Sequence, residues 1–220
     1  MPNQWHSFCM SFTRQLLVDV HFLRIPLLFR QGMVVFILCA VCGLPLLAET
    51  RYVNKANPTP VLPYNGGWSF AATNIQDALD WSVSGDLVLV AAGIYDTGGR
   101  AISGLTNRAV IPNAVTLRAV STNPSDTLIV GAPDPGTLSY GPAAVRCVYM
   151  AANSRLIGFT LTNGYTMTTN QANSQGGGAY CASASSSIIS NCVITGCRAF
   201  YYLLWRRRLP RVSYRVRGVQ

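Results

Sequence analysis

Histidine is the first thing this chain lacks where it would matter. Both histidines, His6 and His21, precede an uncharged apolar segment at residues 33–47, so a chain cut after that segment contains none. Ser-His-Asp and Cys-His nucleophilic chemistry and His-ligated zinc fall together, because each needs an imidazole to carry a proton or hold a metal. Acids are scarce too: the 220 residues include eight Asp and Glu, and charged side chains make up 11% of the chain. A lyase needing an acidic calcium cluster and a base, or a hydrolase needing converging carboxylates, has few groups to draw on. Of seven cysteines, Cys9, Cys39 and Cys42 lie in the first 47 residues, and Cys147, Cys181, Cys192 and Cys197 show no CxxC spacing. A zinc ribbon or a thioredoxin-type motif is disfavoured. Core thiols or disulfide partners are expected, and an exported setting favours some pairing. No cofactor or metal is expected.

Half of the residues are apolar, enough to bury one core of ordinary size. The formal charge of +9 suggests nucleic acid until it is located. From Arg51 to Phe200 the charges nearly balance, whereas Tyr201 to Gln220 carries Arg206, Arg207, Arg208, Arg211, Arg215 and Arg217 and no acid. Nucleic acid is therefore not an expected partner. Residues 1–32 read as an uninformative N-terminal extension. Residues 33–48 (MVVFILCAVCGLPLLA) read as a signal peptide, with Arg30 as the positive flank and cleavage near Ala48. The run is shorter than the roughly 20 residues that span a bilayer, and an uncleaved anchor is the alternative.

Residues 51–200 carry the fold. Thr73 and Gln76 have capping-box spacing, Ile75, Ala78, Leu79 and Ser82 share one helical face, and Gly85 stops the helix, so Thr73 to Val83 is expected to be helical. Leu87 to Val90 is a continuous apolar run that suits a strand covered on both faces. Short β-type segments follow at Ala109–Ile111, Val115–Ala119, Leu128–Val130, Val145–Met150, Leu156–Thr162 and Ile188–Ile194, with no further helix pattern. Two stretches are copies of a longer unit. Val148-Tyr149-Met150 leads to Leu156 through Gly164, and Ala179-Tyr180-Cys181 leads to Ile188 through Gly196, with a polar insertion, Tyr165 to Gln175, between them. Recurrence of this kind favours a solenoid, in which equivalent side chains of stacked strands form ladders. Phe159, Leu161, Cys192, Val193 and Ile194 are candidates for inward positions. Asn163 or Asn191 suits a turn, and Gly164, Gly177, Gly178 and Gly196 suit sharp corners.

These residues carry a resemblance over Arg51 to about Ala199. Ala71 through Asp80, followed by Gly85-Asp86-Leu87-Val88-Leu89-Val90 and Gly93-Ile94-Tyr95, resembles the N-terminal cap and first coil of bacterial pectin-lyase-like β-helix proteins. Gly177-Gly178-Ala179-Tyr180 with Ile188-Ile189-Ser190-Asn191 is similar to the GGAI and FxxN repeat of polymorphic outer-membrane proteins, with Tyr180 and Ile188 replacing two signature residues. The resemblance implies an all-β protein, a right-handed parallel β-helix with a short N-terminal cap helix, displayed on a surface or secreted. Expected cap residues are Thr73, Ile75, Gln76 and Leu79. Expected repeat residues are Gly177, Gly178, Tyr180, Cys181, Ile188, Asn191, Cys192 and Gly196.

Catalytic residues are not identified by spacing. Asp77 and Asp80 fall on the helix, Asp86 and Asp96 bound strands, and Asp126 and Asp134 sit in NPSD and PDPG loops where aspartate ordinarily makes turns. Arg100, Arg108, Arg118, Arg146 and Arg155 either line an anionic-glycan groove or are scattered surface charge. Gly176-Gly177-Gly178 is a turn, since no helix pattern or GKS/T follows. Cys181 and Cys192 are either a disulfide or stacked core thiols. The expected function is a structural or glycan-contacting exported module, truncated at its end, with polysaccharide or cell-surface components as partners and membrane contact only through export or anchoring. The alternatives are a polysaccharide lyase or glycoside hydrolase of the same fold, and a non-functional fragment. Residues 201–220 (YYLLWRRRLPRVSYRVRGVQ) are expected to be a frame-shifted tail: arginine runs arise when glycine codons are read one base out, and permitted codons in the next frame restore a glycine corner with Tyr and Cys. The alternative is a basic nucleic-acid or membrane tail.

Overall fold

Strands of three to seven residues cannot bury a face alone and must stack on neighbours. The structure, a computed structural model, describes residues 48–200 apart from 170 and 184. The extension at 1–32, the segment read as a signal peptide except Ala48, and the tail at 201–220 lie outside the described residues. The strands are β1 (Thr50–Val53), β2 (Leu87–Val90), β3 (Gly93–Tyr95), β4 (Arg100–Ile102), β5 (Leu105–Ile111), β6 (Thr116–Ala119), β7 (Thr127–Val130), β8 (Val145–Met150), β9 (Arg155–Ile157), β10 (Thr160–Thr162), β11 (Ala179–Cys181), β12 (Ile188–Ser190) and β13 (Val193–Thr195). Two short helices, α1 (Ile75–Asp80) and α2 (Gln171–Ser174), accompany them. The described chain is thus mostly β, and none of its helices is long and apolar enough to cross a membrane.

The strands form three sheets: sheet A in the order β1-β2-β6-β9-β12, sheet B β3-β7-β10-β13, and sheet C β4-β5-β8-β11. From β2 onward the chain visits A, B and C in turn and then begins again, so one passage through the three sheets is a circuit. Pairing between circuits is parallel, while β4 and β5 form an antiparallel pair.

In-register stacking builds the core as ladders. Val88, Leu117, Leu156 and Ile189 align in sheet A; Tyr95, Ile129, Leu161 and Ile194 in sheet B; Ile111, Met150 and Cys181 in sheet C. All but Ile189, Ile194 and Cys181 are buried. Phe159 and Leu161 are inward, whereas Val193 and Ile194 are exposed, because β13 is the outermost strand of sheet B. Leu87 to Val90 is not covered on both faces: Val88 and Val90 are buried, and Leu87 and Leu89 are half-exposed.

Two segments that read as single strands are each divided. Gly158, at φ +88°, separates β9 from β10, and Asn191, at φ +47°, separates β12 from β13, so each half joins a different sheet. The Asn191 amide donates to Thr122 O at 2.9 Å, and the Asn163 amide, also at a left-handed position, donates to Gly131 O at 3.3 Å. Strands β3 and β4, absent from the sequence reading, complete sheets B and C in the first circuit.

The α1 helix is shorter than Thr73–Val83, and its N-cap is Asn74, not Thr73. Asn74 Oδ1 accepts from the Asp77 N–H at 3.0 Å and its amide donates to Asp77 Oδ2 at 2.6 Å, a reciprocal cap one residue on from the expected one. Gln76 is released for another task. Its Oε1 accepts the Val110 N–H of β5 at 2.7 Å and its amide donates to Asp80 at 2.6 Å. Ile75, Ala78 and Leu79 enter the core beside Val53, Val90 and Ile111.

Of the corner glycines, only Gly196 has positive φ. Gly164 and Gly177 are required by crowding instead. A Cβ on Gly164 would collide with Gly177 O and lie 2.8 Å from Cys147 Sγ, and one on Gly177 would collide with Arg198 O and lie 2.6 Å from Gly164 O. We therefore expect Gly164→Ala to cost about 1–3 kcal/mol, the overpacking range, read as a lower urea midpoint at unchanged slope.

Candidate functional site

Strand β8 (VRCVYM) departs from simple alternation: Arg146, Cys147 and Val148 are buried in succession, followed by half-buried Tyr149 and buried Met150. Arg146 is 1% exposed. Among the described residues no carboxylate pairs with it. Its Nη1 donates to Asn107 Oδ1 at 3.1 Å and its Nη2 to Ala172 O at 2.6 Å and Gln175 O at 2.8 Å, while Nε has no partner among the described residues. The guanidinium lies 4.9 Å from the centre of the Tyr180 ring, and Tyr180 stacks on Tyr149 with centroids 5.7 Å apart and planes at 29°. Burial pushes the Arg146 pKa down to about 10. Neutral oxygens and a ring face thus replace water around this cation, an arrangement that favours arginine for its planar, weakly hydrated head.

The polar insertion at 165–175 is anchored at both ends, while Thr168 and Thr169 are exposed. Tyr165, Thr166, Asn173 and Ser174 are buried. Tyr165 packs with Leu105 and Ala144, Met167 N donates to Asn173 O at 2.9 Å, and the Asn173 amide donates to Ser103 O at 2.7 Å. The insertion is a strap, and Arg146 ties down its far end through the carbonyls of Ala172 and Gln175. Beside it, Tyr140 approaches Tyr165 (6.0 Å between ring centres) and Phe200 (5.7 Å), with Arg198 6.0 Å from the Tyr165 ring.

The five candidate arginines are not gathered into one groove. Arg100 pairs with Asp80 at 2.6 Å, and Arg108 donates to Val130 O and Gly98 O. Arg146 is buried, and Arg118 and Arg155 stand exposed on β6 and β9 of sheet A.

The six aspartates are engaged separately. Asp77 serves the α1 cap, and Asp80 binds Arg100 and Gln76. Fully buried Asp86 binds Arg51 at 3.1 Å and the Glu49 and Val83 N–H groups, and Asp96 binds Lys55. Asp126 accepts from Ser121 and Asn123. Asp134 accepts from Ala143, Gly136 and Thr137 N–H groups, and those backbone bonds, Ala143 foremost, hold its carboxyl below the ordinary 3.8.

The repeat residues fall on several sheets. Tyr180 and Cys181 lie on β11, Ile188 on β12, Asn191 and Cys192 in the turn to β13, and Gly196 just beyond it, with Gly177 and Gly178 buried ahead of β11. Cys181 and Cys192 do not meet as a pair: Cys181 Sγ is 3.9 Å from Met150 Sδ, and Cys192 Sγ is 3.2 Å from Ser190 O. The sulfurs that approach each other are those of Cys147 and Cys197, at 3.9 Å, and the described cysteines are free thiols. Sequence reasoning passed over the role of Arg146, whose one signal is a cation in an otherwise apolar strand.

Replacing Arg146 with Met leaves Asn107 Oδ1 and two strap carbonyls unpaired. We expect a loss of about 1–3 kcal/mol, with faster hydrogen exchange over 165–175 while exchange in β2 and β6 stays slow. Because the folded pKa of Asp134 is depressed, its stabilising effect is present above the ordinary carboxylate value and lost as pH falls through the folded value. A carbon-13 titration of the Asp134 carboxyl should give a midpoint below 3.8.

Comparison of the chain with protein-family models, with curated proteins and with solved structures gives no match.

Proposed function

We propose that this chain is an exported β-helix module, right-handed, parallel and of pectin-lyase-like architecture, that works at a surface or in secreted form as a structural, glycan-contacting element. The observation that supports this reading most is the cyclic visiting of three sheets with parallel, in-register pairing between circuits. A stack of that kind offers long outer faces on which side chains recur at about the 4.8 Å strand spacing. The stacked Tyr149–Tyr180 pair beside Arg146 supports glycan contact in particular, since ring faces take the C–H face of a sugar and half-exposure leaves them reachable.

The test is binding of the purified protein to an array of acidic and neutral polysaccharides, followed by titration of the best binder. Tyr149→Ala with Tyr180→Ala is expected to weaken binding about tenfold or more, about 1.4 kcal/mol, while far-ultraviolet circular dichroism is retained. Equal binding by the double variant, or no binding by the natural protein to any glycan on the array, defeats the glycan-contacting reading.

A further inference from the structure

We propose that Cys147 and Cys197 are a redox couple that closes to a disulfide and staples the second circuit (β6 to β8) to the fourth (β12 and β13) across the third. Their sulfurs lie 3.9 Å apart although the residues are far apart in sequence. The space they share is kept open by glycine. A Cβ on Gly164 would lie 2.8 Å from Cys147 Sγ, and one on Gly178 would lie 3.3 Å from Cys197 Sγ and 2.6 Å from Ile194 Cγ2. Side chains at either position would fill the slot through which the sulfurs approach.

The surrounding backbone fixes both partners. Cys147 N donates to Gly177 O at 3.1 Å and Arg198 N to Gly164 O at 2.8 Å, so each cysteine sits in or next to a hydrogen bond to the third circuit, which lies between theirs. Closing the 3.9 Å gap to a bond of about 2.05 Å requires the two side chains to rotate toward each other. Among the described residues Cys181 and Cys192 have no such neighbour, their sulfurs being turned to Met150 Sδ and to the Ser190 and Leu156 carbonyls.

The roles of the two sulfurs differ. Cys147 is buried and Cys197 is half-exposed. The hydrogen bond between them, with the Gly164 N–H directed at Cys197 Sγ from 3.4 Å, draws the Cys197 thiol down and pushes the Cys147 thiol up. Cys197 is therefore the attacking thiolate and Cys147 the resolving thiol. The oxidant is a small-molecule disulfide. Cys197 attacks one of its sulfurs, forming a mixed disulfide and expelling one thiolate. Cys147 sulfur then attacks Cys197 sulfur, closing the Cys147–Cys197 bond, and its proton leaves with the second small thiol. Two electrons pass from the cysteine pair to the small disulfide, which departs as two reduced thiols.

The experiment treats the reduced full-length protein with oxidised glutathione, blocks remaining thiols with iodoacetamide, and locates the links by tandem mass spectrometry after proteolysis. The expected result is a Cys147–Cys197 crosslink with Cys181 and Cys192 alkylated. Oxidation should also raise the urea midpoint, and Cys197→Ser should abolish both the crosslink and the rise. Alkylated Cys147 after oxidation, a stable glutathione adduct on Cys197 without closure, or a link from Cys147 to another cysteine overturns the proposal. The mass assay is made on the natural chain, so it stands even where a variant fails to fold.

Discussion

Backbone is packed tightly against backbone at the corner between sheets B and C, and the remainder of the structure depends on that approach. At the corner after β10, Gly164 accommodates the carbonyl of Gly177, and Gly177 in turn accommodates the carbonyl of Arg198. Neither position tolerates a side chain. The reward for the crowding is a set of interstrand bonds in register, among them Cys147 N to Gly177 O and Val148 N to Gly178 O, which bring β11 onto β8. With that register set, Met150 meets Cys181 and Leu161 meets Ile194, and the ladders of the core follow without further specification.

Two buried arginines mark opposite solutions to one electrostatic problem. Arg51 is inward in β1 and is answered by fully buried Asp86 at 3.1 Å, which also holds the Glu49 and Val83 amides. Arg146 has only neutral oxygens and the Tyr180 ring. An ion pair recovers desolvation by direct attraction, whereas carbonyl dipoles do so only if several converge. The strap from 165 to 175 supplies two of the three. The segment is consequently bound to the cation it covers, and its polarity serves an interior need.

The strand content was legible where periodicity and length agreed. Val145 to Met150 reads as a strand and is one. The copies at 156–162 and 188–194 also read as β, but the break within each was not legible: Gly158 and Asn191 turn the chain from one sheet to another, and a single residue at positive φ leaves little trace in an apolar run. Gly93–Tyr95 and Arg100–Ile102 are too short to show a period. Thr73 offered a capping hydroxyl, but Asn74 provides both halves of the cap with Asp77, and only the position of Val110 explains why Gln76 turns away. The site was less legible still. Nothing local marks Cys197 as the neighbour of Cys147, since the register that joins them is a property of the whole circuit.

The antiparallel pair β4–β5 has a consequence of its own. It sits at the edge of sheet C and, with Gln76 occupying the Val110 N–H, leaves that edge little backbone with which to receive another strand. Beyond this hairpin, each strand pairs with one laid down a single circuit earlier. A chain emerging slowly during synthesis can therefore be set in place piece by piece, each new segment finding its template already made.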